Sequence, residues 1–392
     1  MIRSVVWVAL GAQLAVGCSS GDSMPACTDC EDGSSDGSPV DGGGGDAVRD
    51  TTADAAGDAR ADTSTDGSIA PHDAPDGGGD ADAAAGDPCA VPFTATGPWC
   101  QRLPATTPID PSSAAIVASI QSDIKKFYGT WAINTDTFSS PIYTVPAGAP
   151  TKDWSFVDCQ GKGSLDPTFG ACLKSVPTTP DMVASKGTDN EITIYSPSLD
   201  EEWEFWIATD TAGAWSACWG GCIKGVSKNP GIFPSGIGAT ACGLPLLGFL
   251  IRIDELKAGK ITHAINLELP RTRAGEFSWP ANRTDGNTAD PNVLAEGQRM
   301  RLDPTFDVGT LPNTAERAIA RAMQDYGIIL TDTAGAVVTQ AEDPRSYMSA
   351  HGLATDPYDA LFEGRAVYEV LKELPLDRLQ VLPKDYGQSF MK

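Results

Sequence analysis

The sequence predicts a β-rich domain with peripheral helices in residues 88–392, and we expect a β-sandwich or jelly roll. Most of this part consists of short apolar runs separated by Gly, Pro, Asp and Ser, a pattern typical of antiparallel strands. Helical spacing of apolar residues occurs in only a few segments. A strand-rich chain buries its apolar faces by packing sheet on sheet, so a sandwich or jelly roll fits best.

The individual elements follow from these periodicities. The runs assigned to strands are 130–134, 141–145, 191–195, 202–208, 214–219, 246–253 and 263–269. The segments assigned to helices are 112–128, 314–326 and 358–371. Asn313 and Glu316 are placed to form a capping box at the start of the second helix. Between the last two strands, we predict a polar turn over 254–260, with Asp254 as its cap.

Residues 1–17 resemble a signal peptide, since Arg3 precedes an apolar run that ends at Cys18. The run is shorter than a membrane-spanning helix requires. Ala15 and Gly17 before Cys18 resemble the lipobox of bacterial lipoproteins, although Ala15 stands where Leu is usual. The resemblance implies that Cys18 is lipidated as the first mature residue, and Ser19 implies transport to the outer membrane. We therefore expect a surface-exposed protein of the cell envelope; a secretory signal cut elsewhere is the alternative.

Residues 18–87 form an acidic segment of Asp, Gly, Ala, Ser and Thr. This composition cannot bury enough apolar surface to offset the entropy of ordering, so we predict a disordered tether. Much of the formal net charge of −24 lies here, and the repulsion extends the segment. A negative chain is a poor partner for nucleic acid, and we expect none. Calcium binding by the Asp-Gly pairs is disfavoured because their spacing is irregular.

Nine cysteines follow Cys18, and an exported protein can form disulfides. Sequence proximity suggests the pairs Cys27–Cys30, Cys89–Cys100 and Cys159–Cys172, leaving Cys218, Cys222 and Cys242 for one bond and one thiol. Two pairs of cysteines lie close enough in sequence to suggest a metal site, namely Cys27 with Cys30 and Cys218 with Cys222. Neither has a second ligand pair at zinc-site spacing, so we predict disulfides and no metal ligands.

The segment 200–206 contains three Glu, two Trp and a Phe. Because strand side chains alternate, Glu202, Glu204 and Trp206 should share one face. Carboxylates beside an indole suit a sugar, which stacks on the ring while the acids catalyse glycosidic cleavage. The strand resembles the catalytic strand of concanavalin-like glucanases, but the remainder of that motif is absent. A solvent-facing structural strand is the alternative.

Other candidate site residues surround this strand in sequence. We expect Trp215 and Trp219, on the next predicted strand, to bind sugar. His263 is a candidate general base, in a hydrolase or a polysaccharide lyase, or else a structural histidine. Arg252 ends an apolar run, and Asp285 lies in a polar loop that either borders a cleft or is a simple turn. His351 is a weaker candidate that we place in a loop.

A further resemblance covers residues 202–332. The motifs Glu202-Trp203-Glu204-Phe205-Trp206, Trp279-Pro280-Ala281 and Tyr326-Gly327 occur in an order similar to that of a domain in uncharacterised secreted bacterial proteins. It implies one folded unit and carries over no catalytic residue.

These observations predict a surface-tethered carbohydrate-active enzyme, either a glycoside hydrolase or a polysaccharide lyase. The expected substrate is a polysaccharide, and the membrane is contacted only through the lipid. We expect no cofactor, with structural calcium left open. The chain lacks the Gly-rich phosphate loop, the Gly-x-Ser-x-Gly elbow and the His-Glu-x-x-His motif, which disfavours ATP-driven, esterase and zinc-protease chemistry. The alternatives are a non-catalytic carbohydrate-binding or adhesion lipoprotein and a structural envelope protein.

Overall fold

A computed structural model describes residues 88–234 and 236–391. The signal peptide, Cys18, the acidic tether and the Cys27–Cys30 pair lie outside the described residues. The fifteen strands are β1 Trp131–Asn134, β2 Ile142–Thr144, β3 Thr151–Lys152, β4 Ser155–Phe156, β5 Val176–Pro177, β6 Ile192–Ser196, β7 Glu201–Trp206, β8 Thr209–Thr211, β9 Ala214–Ala217, β10 Trp219–Lys224, β11 Ile265–Leu269, β12 Arg299–Leu302, β13 Ile328–Thr333, β14 Val337–Gln340 and β15 Leu379–Val381. The helices are α1 Ser113–Lys126, α2 Pro167–Cys172, α3 Leu246–Phe249, α4 Ile253–Ala258, α5 Thr314–Asp325, α6 Pro344–His351 and α7 Tyr358–Leu361.

A mixed sheet of six strands, in the order β1-β14-β11-β13-β12-β15, is the largest element. The β1–β14 and β11–β13 pairs are parallel, whereas β13–β12 and β12–β15 are antiparallel. One face of the sheet is apolar and carries, for example, Ile265, Leu267 and Leu330. Helices α1 and α5 contribute to the same core through residues such as Ile120 and Ile319. This core leaves the opposite face of the sheet free to carry polar side chains.

A four-stranded sheet, β10-β7-β6-β2, belongs to the second core. Phe205 of β7 lies in a stack with two tryptophans. The ring centroids of Phe205 and Trp154 are 4.3 Å apart, and those of Trp154 and Trp215 are 4.6 Å apart. Smaller sheets, β4-β9-β8 and β3-β5, complete this half. Ile329 of the six-stranded sheet packs in the same core. The described residues are therefore β-rich with few helices, as the sequence predicted.

Helices α1 and α5 occur where the apolar spacing predicted them, and the Asn313 side chain accepts a hydrogen bond from the Glu316 amide. The predicted strand 246–253 and turn 254–260 are wrong. Helix α3 begins directly after Pro245, and α4 begins at Ile253. In α4 the Glu255 carboxylate accepts the Arg252 amide, a local bond that periodicity does not reveal.

The end of the chain differs in a similar way. Asp343 accepts the amide of Arg345 at the start of α6, so His351 lies in the last turn of a helix and not in a loop. The predicted helix 358–371 ends after Leu361. Glu363 and Gly364 both have positive φ, which an α-helix cannot accommodate.

Three disulfides join cysteines of the described residues. Cys89–Cys100 is bonded as predicted. The predicted Cys159–Cys172 bond is wrong. These two cysteines bond to Cys218 and Cys222 respectively, because α2 packs beside β10 and brings distant cysteines together. Cys242 is the buried free thiol. Within the described part of the chain, no helix is long and apolar enough to cross a bilayer.

Candidate functional site

The polar face of the six-stranded sheet forms one side of a cavity. Strands β11 and β13 pair in register from Ile265 to Leu267, and then the register shifts by one residue. This bulge places Asp332 opposite Glu268. Bulges redirect side chains in this way next to functional sites. Two carboxyl groups consequently lie side by side on the face that the helices do not cover.

A hydrogen-bonded network supports these carboxyl groups. The Asn266 side-chain amide donates to Glu268 Oε1 at 3.3 Å and to Gln340 Oε1 at 3.2 Å. In return, Asn266 Oδ1 accepts the Gln340 amide at 2.8 Å. Glu268 thus has a fixed donor at one oxygen and faces the cavity.

The other side of the cavity is built from the four-stranded sheet and its loops. Glu191 lies just before β6, and Trp206 ends β7. Trp206 Nε1 donates to Asp189 Oδ1 at 3.0 Å, which fixes the orientation of the indole. Trp219 is paired with Trp206 across the strands, but the ammonium group of Lys162 lies 3.8 Å from its ring centroid. Of these two rings, Trp206 is the one that carries no cation.

Arg283 holds the third side together. Its guanidinium donates to the carbonyl oxygens of Ile237, Gly238, Thr240 and Ala241, in a loop that also lines the cavity. Asp332 contributes to the same loop by accepting the Ala241 amide at 2.8 Å. Because its guanidinium N–H groups donate to these carbonyl oxygens, Arg283 fixes the position of the loop and has few donors available for a ligand.

The cavity has a volume of about 300 Å³, and five carboxyl groups line it. They are Asp189, Glu191, Glu268, Asp285 and Asp332. Burial and the charges of Asp189 and Glu268 raise the pKa of Glu191 well above its ordinary value. Burial and the charges of Asp332 and Asp189 do the same for the pKa of Glu268. Clustered carboxyls with raised pKa values in a cavity are typical of sites for proton transfer.

Three carboxyl groups meet at one end of the cavity. One oxygen each from Asp285, Glu296 and Asp332 lies within 4.8 Å of the others. Glu296 is fully buried, and neither of its carboxylate oxygens has a hydrogen-bond partner among the described residues. Gly286 and Gly297, which follow Asp285 and Glu296 in the chain, allow the backbone there to approach other segments closely. A Cβ at Gly286 would lie 1.9 Å from the Arg273 carbonyl oxygen, and one at Gly297 would lie 1.9 Å from that of Ser278.

A second group of charged residues is buried elsewhere, behind β7. Glu204 Oε1 accepts the Leu247 amide at 2.9 Å, and Arg252 donates to the Leu247 carbonyl at 2.7 Å. Glu202 is fully buried, and its carboxylate has no hydrogen-bond partner in the described part of the chain. His263 lies 3.0 Å from Glu255 and 2.8 Å from the Ala264 carbonyl through its two ring nitrogens. Burial raises the pKa of Glu204 to about 8.

The structure therefore divides the sequence-predicted site residues into separate places. Trp206, Trp219 and Asp285 line the cavity. Trp215 packs in the aromatic stack of the second core. The remaining predicted residues belong to the buried charge group: Glu202, Glu204, Arg252 and His263. None of these four lines the cavity.

Sequence reasoning missed Glu191, Glu268, Glu296 and Asp332 as site residues. Glu268 and Asp332 sit on strands rich in apolar residues, and a charge on such a strand is the signal that could have identified them. Comparison with known proteins adds no assignment: no protein family, curated protein or solved structure matches this chain.

Proposed function

We propose that the chain is a surface-tethered glycoside hydrolase that uses Glu191 and Glu268 as its pair of carboxyl groups. One observation carries the proposal: these residues come from two different sheets and line the same cavity, beside the fixed indole of Trp206. Most glycosidases cleave a sugar bond between two carboxyl groups, with an aromatic ring nearby to stack on the sugar.

The two residues are suited to different roles. Glu191 Oε2 is buried without a hydrogen-bond donor among the described residues, which favours the protonated form and a role as proton donor to the leaving oxygen. Burial and nearby charges raise the pKa of Glu268 too, but it accepts a hydrogen bond from Asn266, which stabilises its ionised form, so of the two it is the group that gives up its proton first. Glu268 then acts as the base for water or as the nucleophile.

The cavity volume supports a small substrate or the end of a chain. At about 300 Å³ it lies at the lower limit of small-molecule pockets, with room for a sugar ring and not for an extended polymer segment. Trp206 supplies the stacking surface. The expected action on a polysaccharide is therefore at a chain end or on released oligosaccharides.

The lining favours hydrolysis over the lyase reaction. A lyase acts on a uronic acid, whose carboxylate needs a cation and whose proton needs a base. Among the described residues, no histidine or tyrosine lines the cavity, and Lys162 and Arg283 are its cations. The Arg283 side chain is bonded to loop carbonyls and the Lys162 ammonium group lies over the Trp219 ring, so neither is well placed to pair with a uronate, and a neutral or amino sugar is the better substrate.

Export and anchoring complete the proposal. Three disulfides are consistent with an oxidising compartment. We propose that Cys18 carries the lipid and that residues 18–87 act as the spacer. At the level of fold, we propose a β-sandwich, because the second core contains residues of both larger sheets, such as Phe205 and Ile329.

The test is hydrolysis of a panel of aryl glycosides and oligosaccharides by the full chain. Glu268→Gln should lower kcat by about 10² or more and leave binding in place. Trp206→Ala should mainly weaken binding, because stacking depends on the ring. Glu373→Gln, at an exposed position outside the cavity, is the matched control. Sugar binding without turnover in the wild type would favour the non-catalytic binding lipoprotein, and neither activity would contradict both readings.

A further inference from the structure

We infer that Asp285, Glu296 and Asp332 form a binding site for a divalent cation, with Ca²⁺ as the preferred ion. The three residues come from separate segments: a loop, the turn before β12 and the bulged part of β13. All three offer carboxylate oxygens, the ligand type that hard cations select. The proposed hydrolysis uses Glu191 and Glu268, which are not ligands of this site. A failure to bind a cation would therefore leave the proposed hydrolysis untouched, and the reverse also holds.

The spacing of the three oxygens admits a calcium ion. Each lies within 4.8 Å of the others. Calcium binds oxygen at about 2.3–2.6 Å, so oxygens on opposite sides of the ion are up to about 5 Å apart. Magnesium binds at about 2.0–2.1 Å and spans only about 4 Å. The observed spacing, an upper limit, therefore leaves room for one calcium ion, and this irregular set of ligands suits calcium better than magnesium, which demands near-ideal octahedral geometry.

Glu296 gives independent support, because its carboxyl group is buried in the cluster with no hydrogen bond of good geometry to either oxygen among the described residues. Burying a carboxyl group without a partner is costly, and a bound cation removes that cost. The close approach of Gly297 to the Ser278 carbonyl fixes the turn that holds Glu296 in place.

The site is neither filled by a protein cation nor closed to solvent. Arg283 is the nearby arginine, and its side chain is committed to four loop carbonyls. Asp285 is exposed and Asp332 is half-buried, and both line the cavity. Water can therefore complete the six to eight oxygen ligands that Ca²⁺ requires.

The experiment compares thermal unfolding of the full chain with EDTA and with increasing CaCl₂. A specific site predicts a saturable rise in melting temperature, about 5 °C at a Ca²⁺ concentration of 100 times Kd. MgCl₂ should produce a smaller rise at the same concentration. The acidic tether is identical in every variant, so any weak binding there appears equally in all of them.

Two variants make the test specific. Glu296→Gln should remove the Ca²⁺-dependent rise, while in EDTA it should melt at or above the wild-type temperature because it replaces a buried carboxyl group by a neutral side chain of the same shape that cannot ionise. Asp285→Asn, at an exposed position, should weaken Ca²⁺ binding at least tenfold without a folding defect. Asp377→Asn, an exposed control, should behave as the wild type does. A wild type that is indifferent to Ca²⁺, or a Glu296→Gln variant that keeps the full rise, would overturn the site.

Discussion

Replacing Glu204 by Gln should make the protein more stable at alkaline pH, although the residue is a hydrogen-bonded carboxyl group in the core. Glu204 is fully buried. One oxygen accepts the Leu247 amide, and the other has no hydrogen-bond partner among the described residues. Burial raises its pKa to about 8, from an ordinary value of 4.5, despite the nearby positive charge of Arg252.

The sign of the effect follows from proton binding. Between pH 4.5 and about 8, folded Glu204 keeps a proton that the unfolded chain has released. The folded state therefore loses stability as pH rises through this window, by about 1.4 kcal/mol per pH unit and roughly 5 kcal/mol in all. Gln resembles the protonated acid, keeps the acceptor for Leu247 and cannot ionise. Its free energy of unfolding should lack this contribution.

Chemical denaturation at pH 5, 7 and 9 measures the difference. At pH 5 the variant and the wild type should agree within about 1 kcal/mol, and at pH 9 the variant should be more stable by up to about 5 kcal/mol. Some pH dependence should remain, because burial raises the pKa of Glu342 to about 7. Glu201→Gln, at a half-buried position on the same strand that pairs with Lys224, should keep the wild-type profile. Identical profiles for Glu204→Gln and the wild type would refute the reasoning.

Three further predictions concern the anchor, the tether and the disulfides. Cys18→Ser should release the protein from the membrane fraction, and unchanged association would show that the lipid is misassigned. Deleting residues 33–85 should leave the melting temperature within about 1 °C of the wild type, since the segment buries little; a large fall would mean that it packs on the domain. Replacing Cys172 and Cys222 by Ser opens a loop with a sequence separation of 50 residues and should lower the free energy of unfolding by up to about 4 kcal/mol in denaturation measurements. No loss would show that this disulfide contributes nothing.

Local features of this fold were predictable from sequence. Helix α5 has an apolar stripe and an Asn cap within a few residues of each other, so the nearest neighbours determine where it begins. Many strand positions, such as β1 and β6, also follow from alternation and turn residues. Apolar periodicity, cap residues and turn residues each act within one element. They can therefore be identified from the sequence without knowledge of tertiary contacts.

The candidate site depends on contacts between distant segments, and these were not predictable. Glu268 meets Asp332 only because of a bulge between strands that are far apart in the sequence. Alternation also predicts that the Glu face of β7 is open to a ligand, and this prediction is wrong. Leu247 at α3 covers Glu204, and both faces of the strand are buried. Periodicity identifies which side chains share a face but not what packs against that face.

The most direct test of the proposed hydrolysis is the dependence of Glu191→Gln activity on the leaving group. With glycosides whose leaving alcohol needs a proton, the variant should lose about 10²–10⁴ in kcat/KM relative to the wild type. With a dinitrophenyl glycoside, whose leaving group departs without a proton, the loss should be less than tenfold. Equal losses on both substrates, or no loss on either, would contradict the assignment of Glu191 as the proton donor in this cavity.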